Sequence, residues 1–183
     1  MTVKEVVLEA ANLVGCADAV RSYFDGGSSV GMDEAAALIR SFNLVENELA
    51  LDFVDLLAEE KVKAEGGRVK YTALSKRLAR VISVQDTKGG KVSFSIFPTA
   101  LEVGADEVVL RYAYLPDEKG IDDESDYESR VSKGLMAYGV AEAYCACRGL
   151  YAEARFWEKK YKAALVQVCG KSSGGRIRGR KWI

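Results

Sequence analysis

Histidine is absent from the 183-residue sequence. This absence removes the commonest general base and the commonest ligand of transition metals. No apolar run approaches the roughly 20 residues that a membrane-spanning helix needs. The first residues, from Met1 to Glu5, have a helical pattern and lack the apolar core of a signal peptide. We therefore expect synthesis in the cytoplasm, no membrane partner and no enzyme activity.

The sequence also has few cysteines and a net charge close to zero. The four cysteines lie in or beside apolar helical patterns, which favours buried, reduced thiols over disulfides. Cys145 and Cys147 are two residues apart, so on a helix their side chains diverge and are poorly placed to share a metal ion. The formal net charge is only -1. We expect no metal and no cofactor, and the average surface gives no sign of nucleic-acid binding.

The strongest pattern lies between Tyr127 and Val168. Apolar residues recur there at steps of three and four, which predicts two amphipathic helices. Arg148-Gly149 separates the two sets and suits a turn. We predict an antiparallel helical hairpin that supplies the core, with Ser125 and Glu128 as the capping box of its first helix. The two sets are Tyr127, Val131, Leu135, Tyr138, Ala141 and Cys145, and Leu150, Ala154, Trp157, Tyr161, Ala164 and Val168.

Three helices are predicted in the first third of the chain. Thr2 and Glu5 have the spacing of a capping box and begin a helix that ends near Gly15. A short helix follows from about Asp18 to Phe24, and a long helix from about Asp33 to Glu59. Its predicted buried stripe is Leu38, Phe42, Val45, Leu49, Phe53 and Leu56. Its predicted solvent face is mostly acidic and comprises Arg40, Glu46, Asn47, Glu48, Asp52 and Asp55.

The apolar period changes to two after Lys61, which predicts β-strands. Strong candidates are Leu78 to Gln85, a half-buried strand with Val92, Phe94 and Ile96 on one side, and Glu107 to Leu115. Weaker candidates are Val69 to Tyr71 and Leu101 to Val103. Lys88-Gly89-Gly90-Lys91 suits a hairpin turn. Pro98 should lie at a strand end or edge.

These patterns predict an α+β, mainly α fold. It is a helical bundle with a small antiparallel β insertion between the long helix and the C-terminal hairpin, plus an extended C-terminal arm. The predicted divisions are N-terminal helices at 1–60, the β insertion at 61–115, the helical hairpin at 116–169 and the basic arm at 170–183.

The arm has no apolar periodicity and carries five positive charges with no acidic side chain. We expect it to be disordered when alone in solution. An unimportant solvated end is the usual explanation of such a segment, but Trp182-Ile183 argues for docking. Arginines supply charge and planar hydrogen-bonding groups, and Trp-Ile supplies an anchor. A partner with an acidic groove and an apolar pocket would suit the whole arm, whereas nucleic acid would suit mainly its arginines.

Other candidate features have simpler explanations. Gly170-Lys171-Ser172 lacks the first glycine of a phosphate-binding loop and follows a helix instead of a strand. The run from Asp122 to Asp126 alternates carboxylates as calcium loops do, but Tyr127 replaces the required glycine. An acidic linker before a helix N-terminus explains it better.

Two features of the hairpin leave alternatives open. Gly134 and Gly139 interrupt its first helix, either because another helix approaches closely, from this chain or from another subunit, or because glycine is simply tolerated. Aromatic residues Tyr151, Phe156, Trp157 and Tyr161 suit a core, although the adjacent Phe156 and Trp157 point in different directions. One of these two could serve an intersubunit contact.

Three stretches resemble the head-to-tail connector, or portal adaptor, proteins of tailed phages and prophages. They are LMAYGVAEAYC from Leu135 to Cys145, RGLYAEARFWEKKYKAAL from Arg148 to Leu165, and GGRIRGRKWI from Gly174 to Ile183. TVKEVVLEAANLV and SFNLVENELALDF are similar to the same group. The resemblance covers both ends and the long helix and is weakest across the β insertion.

The resemblance implies a structural protein of the virion neck. It would form a ring of about twelve copies beneath the portal and contact a tail-side connector or tail terminator, with DNA passing through the channel unread. Glu48, Asp52 and Asp55 would line the channel and repel DNA, unless they are an ordinary solvated face. The implied portal-binding residues are Arg176, Ile177, Arg178, Arg180, Lys181, Trp182 and Ile183. The alternative function is a nucleic-acid-binding module that uses the basic arm.

Overall fold

The computed structural model describes residues 1–26, 29–127 and 130–169. It confirms the α+β, mainly α fold. The helices are α1 (Val3–Leu13), α2 (Ala17–Phe24), α3 (Met32–Glu48), α4 (Lys133–Cys147) and α5 (Tyr151–Cys169). The strands are β1 (Leu56–Lys63), β2 (Arg68–Lys70), β3 (Arg77–Asp86), β4 (Phe94–Ile96), β5 (Ala100–Val103) and β6 (Glu107–Leu115). The β-strands thus form one block between α3 and α4, as predicted.

The first helix begins at the predicted capping box. The backbone amide of Glu5 donates to the Thr2 hydroxyl at 3.2 Å, and the amide of Thr2 donates to the Glu5 carboxylate at 3.0 Å. The two bonds satisfy backbone donors that the first helical turn leaves without partners. The apolar side of α1 is buried and faces α3 and α4.

The long helix is shorter than predicted. Helix α3 ends at Glu48, a π-helical turn follows from Leu49 to Phe53, and the chain is extended at Val54. The prediction of helix up to Glu59 was therefore wrong for its last residues, because Leu56–Lys63 pairs along its whole length with β6. Ladder bonds across the sheet outweigh the high helix propensity of the Leu, Ala, Glu and Lys residues in this strand.

The C-terminal hairpin is confirmed, but its first helix starts later than predicted. Ser132, not Ser125, caps α4, and its hydroxyl accepts the amide of Leu135 at 3.2 Å. Tyr127 and Val131 are buried as expected, although they precede the helix. At the turn between α4 and α5, Gly149 has φ +76°, a left-handed conformation that glycine adopts without strain.

At Gly139, helix α4 approaches both α3 and α5 closely. A Cβ built there would lie 2.8 Å from Val45 Cγ1 and 3.0 Å from Tyr161 Cε2. Both neighbours belong to this chain, so the close approach of α3 and α5 explains Gly139 without another subunit. A Cβ at Gly134 would meet nothing within 4 Å, which leaves simple tolerance as its explanation.

The β unit consists of two three-stranded antiparallel sheets. Their strand orders are β1-β6-β3 and β2-β5-β4. Between the sheets lies a second, smaller core that includes Val69, Leu101, Leu110 and Tyr112. The main core lies among the helices.

The predicted turn at Lys88-Gly89-Gly90-Lys91 is present at the end of β3. The Asp86 carboxylate accepts the backbone amides of Lys88 and Gly90, both at 2.8 Å. The strands on either side of the turn nevertheless enter different sheets, and Pro98 lies between β4 and β5 as expected. The prediction of a half-buried strand was wrong, because Phe94, Ser95 and Ile96 are all exposed at a sheet edge.

All four cysteines are free thiols, but the predicted burial is confirmed only for Cys145. Cys145 is buried, Cys16 and Cys169 are partly buried, and Cys147 is exposed. Among the helices of residues 1–26, 29–127 and 130–169, none is long and apolar enough to cross a bilayer.

Candidate interaction site

The three acidic residues predicted to line a channel all lie where the helical body joins the β unit. Glu48 is in the last turn of α3, Asp52 is in the π-helical turn, and Asp55 immediately precedes β1. They do not share one face of a continuous helix, because the helix ends before Asp52. Of the three, Asp52 is exposed, whereas Glu48 and Asp55 are partly buried.

Exposed apolar side chains alternate with these acids along the same segment. Leu51 is 59% exposed, Phe53 42% and Leu57 46%. Single exposed apolar residues are ordinary, but three within seven residues mark this segment as a candidate for contact with a partner. We name Glu48, Leu51, Asp52, Phe53, Asp55 and Leu57 together the junction patch.

The backbone beneath the junction patch is well anchored. Val54 is buried, and its carbonyl accepts a hydrogen bond from the Tyr127 hydroxyl at 2.7 Å in the protein interior. Burial raises the pKa of Tyr127, so this hydroxyl keeps its proton at neutral pH. On the surface, Arg80 forms an ion pair with Asp55 at 2.6 Å. These contacts present the patch on a fixed backbone.

The electrostatic environment of the patch is negative. Burial raises the pKa of the Glu48 carboxyl, and the nearby charge of Asp52 adds to this effect, while a hydrogen bond from the Tyr161 hydroxyl at 3.4 Å opposes it. The pKa of Glu142 is raised by burial and by the negative charge of Glu48. Lys162 is the cation that offsets these charges. A cationic ligand would therefore relieve carboxylate repulsion here.

The last described residue of α5 also lies beside this region. The thiol of Cys169 donates to the Phe53 carbonyl at 3.9 Å. Helix α3 runs into the π-helical turn, and the amide of Val54 closes that turn by donating to the Leu49 carbonyl at 2.7 Å.

A second polar site was missed by the sequence analysis. Glu46 was predicted to face solvent, which is wrong, because its side chain is 0% exposed. Its Oε1 atom accepts the Ser125 hydroxyl at 2.6 Å and the amide of Asp126 at 2.9 Å. Lys119 in turn forms an ion pair with Asp126 at 2.7 Å. Ser125 thus binds α3 and does not cap a helix.

This buried group holds the connector between β6 and α4 against α3. Burial raises the pKa of the Glu46 carboxyl, although the bonds from Ser125 and Asp126 and the charge of Lys119 act in the opposite direction. Among the residues that the structure describes, the buried atoms Glu46 Oε2 and Asp126 Oδ2 have no hydrogen-bond partner. Asn43 holds the same connector. Its side-chain amide accepts a hydrogen bond from the backbone N–H of Lys119 at 2.7 Å and donates one to the Lys119 carbonyl at 3.0 Å. No sequence motif marked this set, since its members are 76 to 80 residues apart.

The remaining acidic candidates serve the fold. Asp123 accepts the amide of Gly120 at 2.7 Å, and its carbonyl accepts the amide of Val3 at 3.0 Å. Glu124 pairs with Thr2 as an isolated bridge. Within the part of the chain that the structure describes, no three metal-binding side chains come together.

The adjacent aromatic residues Phe156 and Trp157 on α5 lie in different environments. Trp157 is partly buried and stacks on Tyr138 with ring centroids 6.0 Å apart, whereas Phe156 is exposed. Phe156 therefore remains available to a partner.

The seven predicted portal-binding residues, Arg176 to Ile183 apart from Gly179, lie outside the described residues. No protein-family model and no curated protein matches the sequence.

Proposed function

We propose that the chain is a structural subunit of a phage particle, a ring-forming head-to-tail connector that joins the portal to the tail. The observation that carries this proposal is the resemblance of three stretches, which fall on α4, on α5 and on the basic arm. Supporting it is the close packing of α4 against α3 and α5 at Gly139. A ring under load needs such a rigid body.

In this proposal the arm provides the contact with the portal. Arg176, Arg178 and Arg180 supply positive charge, and Trp182 with Ile183 supplies an apolar anchor. Aromatic and arginine side chains commonly dominate the binding energy of protein interfaces. The acid best suited to face passing DNA is Asp52, because it is exposed, whereas Asp55 is paired with Arg80.

Deletion of Gly174 to Ile183 tests the proposal. The shortened subunit should fold, as judged by an unchanged far-ultraviolet circular dichroism spectrum of the helical body, but should no longer join portal-containing particles. The matched control replaces Lys171 with alanine, which removes one charge and keeps the anchor. Normal incorporation of the shortened subunit would contradict a role for the arm.

The rival function is nucleic-acid binding by the five cations of the arm. Binding of this kind weakens with salt, with a slope of log K against log salt of about -0.9 for each phosphate neutralised. An arm that grips DNA with all five cations should therefore give a slope between about -4 and -5 in a gel-shift titration. A portal contact through Trp182 and Ile183 should show a much smaller slope.

A further inference from the structure

We infer that the junction patch is the docking surface for the C-terminal segment 170–183 of the same chain. The contact holds the arm against its own body until a partner displaces it. This inference does not depend on the proposed role in a phage particle, because both halves of the contact belong to this sequence.

Charge complementarity is the first argument. Segment 170–183 carries five positive charges and no acid, and the whole chain sums to -1, so the remaining residues carry a net charge of -6. Within the described residues, the charge of Glu48 interacts with those of Asp52 and Glu142. Lys162 is a cationic neighbour of both Glu48 and Glu142. Guanidinium groups are well suited to neutralise such carboxylates.

Apolar complementarity is the second argument. The segment contains Ile177, Trp182 and Ile183, which gain free energy when they leave water. The junction patch offers Leu51, Phe53 and Leu57, each exposed by more than two fifths. A purely acidic surface would attract the arginines alone, whereas this surface also offers contacts for the anchor.

Chain geometry is the third argument. The segment follows Cys169, and the Cys169 thiol lies 3.9 Å from the carbonyl of Phe53, inside the patch. From Phe53 to Leu57 an extended chain spans about 13 Å, whereas fourteen residues reach up to about 46 Å. The segment therefore starts at the patch and is long enough to cover it. Such a short tether gives a local concentration in the millimolar range, which favours contact within one chain over contact between chains.

The fluorescence of Trp182 tests the inference in the full-length chain. Trp157→Phe makes Trp182 the sole tryptophan, since the sequence contains two. Trp182 should then be shielded from acrylamide relative to N-acetyltryptophanamide. The shielding should not change with protein concentration, and it should weaken between 0.1 M and 1 M salt, where the screening length falls from about 10 Å to about 3 Å.

Matched substitutions locate the docking surface. Asp52→Lys should lower the ratio of docked to undocked arm by about fivefold, as expected for loss of a favourable surface charge. Asp33→Lys is its control, because this exposed acid lies at the opposite end of α3. Leu57→Ser should also release Trp182, whereas Leu150→Ser should not. The two leucines are 46% and 44% exposed, and Leu150 precedes the far end of α5.

A second measurement avoids the substitution of Trp157. In the otherwise unchanged chain, Trp182→Ala should accelerate hydrogen exchange of the backbone from residue 49 to residue 57. Three results would overturn the inference. They are quenching of Trp182 equal to that of N-acetyltryptophanamide, shielding that disappears on dilution and so reports a second copy, and equal effects of the patch variants and their controls.

Discussion

The close contact of α4 with α3 and α5 at Gly139 allows a prediction from two identical substitutions in one helix. Gly139→Ala places a methyl group 2.8 Å from Val45 Cγ1 and 3.0 Å from Tyr161 Cε2. Both neighbours are buried, and Tyr161 also donates a hydrogen bond to Glu48, so neither has room to move away. Overpacking of this kind costs about 1–3 kcal/mol. Gly134→Ala adds the same methyl group to α4 in open space.

The pair separates packing from helix propensity. Alanine is favoured over glycine inside a helix by up to about 1 kcal/mol. This gain acts on both variants and largely cancels when they are compared. Gly134→Ala should therefore stabilise the protein by up to about 1 kcal/mol. The free energy of unfolding of Gly139→Ala should lie about 1–3 kcal/mol below that of Gly134→Ala.

Urea denaturation followed by circular dichroism at 222 nm measures both variants, with the slope on denaturant checked for constancy. A third substitution tests the cause. Val45→Ala removes Cγ1, the atom nearest to the new methyl group. In that background the unfolding free energy lost through Gly139→Ala should therefore shrink by about 1 kcal/mol, the size of a contact coupling. Equal stability of the two glycine variants, or a penalty unchanged by Val45→Ala, would refute this account of α4.

Three further substitutions test local features of the fold. Gly31→Ala should cost more than about 2 kcal/mol, because Gly31 has φ +90° and a Cβ there would lie 2.2 Å from the carbonyl oxygen of Ala19; thermal melts measure the loss. Thr2→Ala should cost about 1 kcal/mol, since it removes the acceptor of the Glu5 amide, and a loss near zero would show that the cap is dispensable. Glu46→Gln should change the pH dependence of stability. Burial raises the pKa of Glu46 above its ordinary 4.5, so its protonation stabilises the fold below that value and this contribution is lost as pH rises through the raised pKa. In urea denaturation between acid and neutral pH, the free energy of unfolding of Glu46→Gln should rise relative to that of the parent protein as pH increases. Parallel curves would contradict the argument.

The elements that the sequence predicted well are those with local signals. The capping box at Thr2 and Glu5 and the turn at Gly149 depend on residues that are neighbours in the chain. The strand from Glu107 to Leu115 was predictable from its own β-branched and aromatic residues, although its hydrogen bonds come from β1 and β3.

The errors occur where distant partners decide the structure. Leu56 continues the helical spacing of α3, yet it pairs with Tyr114, 58 residues later, in the strand ladder. Glu46 has the sequence context of a solvated helix face, yet Ser125 and the amide of Asp126 offer it hydrogen bonds in the interior. Ile96 has the alternation of a half-buried strand, but all three residues of its edge strand are exposed, so nothing among the described residues covers either face there.

The candidate site shows the same division. The sequence shows that residues 48, 52 and 55 are acidic (Glu48, Asp52 and Asp55), but it did not predict how their carboxylates are arranged in space. Because α3 stops at Glu48, the three carboxylates surround a junction and do not form a stripe. The proximity of the end of α5 to Phe53 depends on how the hairpin folds back over α3, which no local pattern encodes.

The connector between β6 and α4 is a structural clamp, which decides how the β unit is attached. A linker that only joined two parts would leave the β unit held by β1 alone. Instead, Asn43 and Glu46 on α3 bind the connector at Lys119, Ser125 and Asp126. At the other attachment, the Tyr127 hydroxyl binds the carbonyl of Val54 next to β1. Both chain crossings between body and β unit are thus fixed to the same helix region. A force applied to the β unit therefore passes into α3, beside the junction patch, and is not absorbed by a flexible tether.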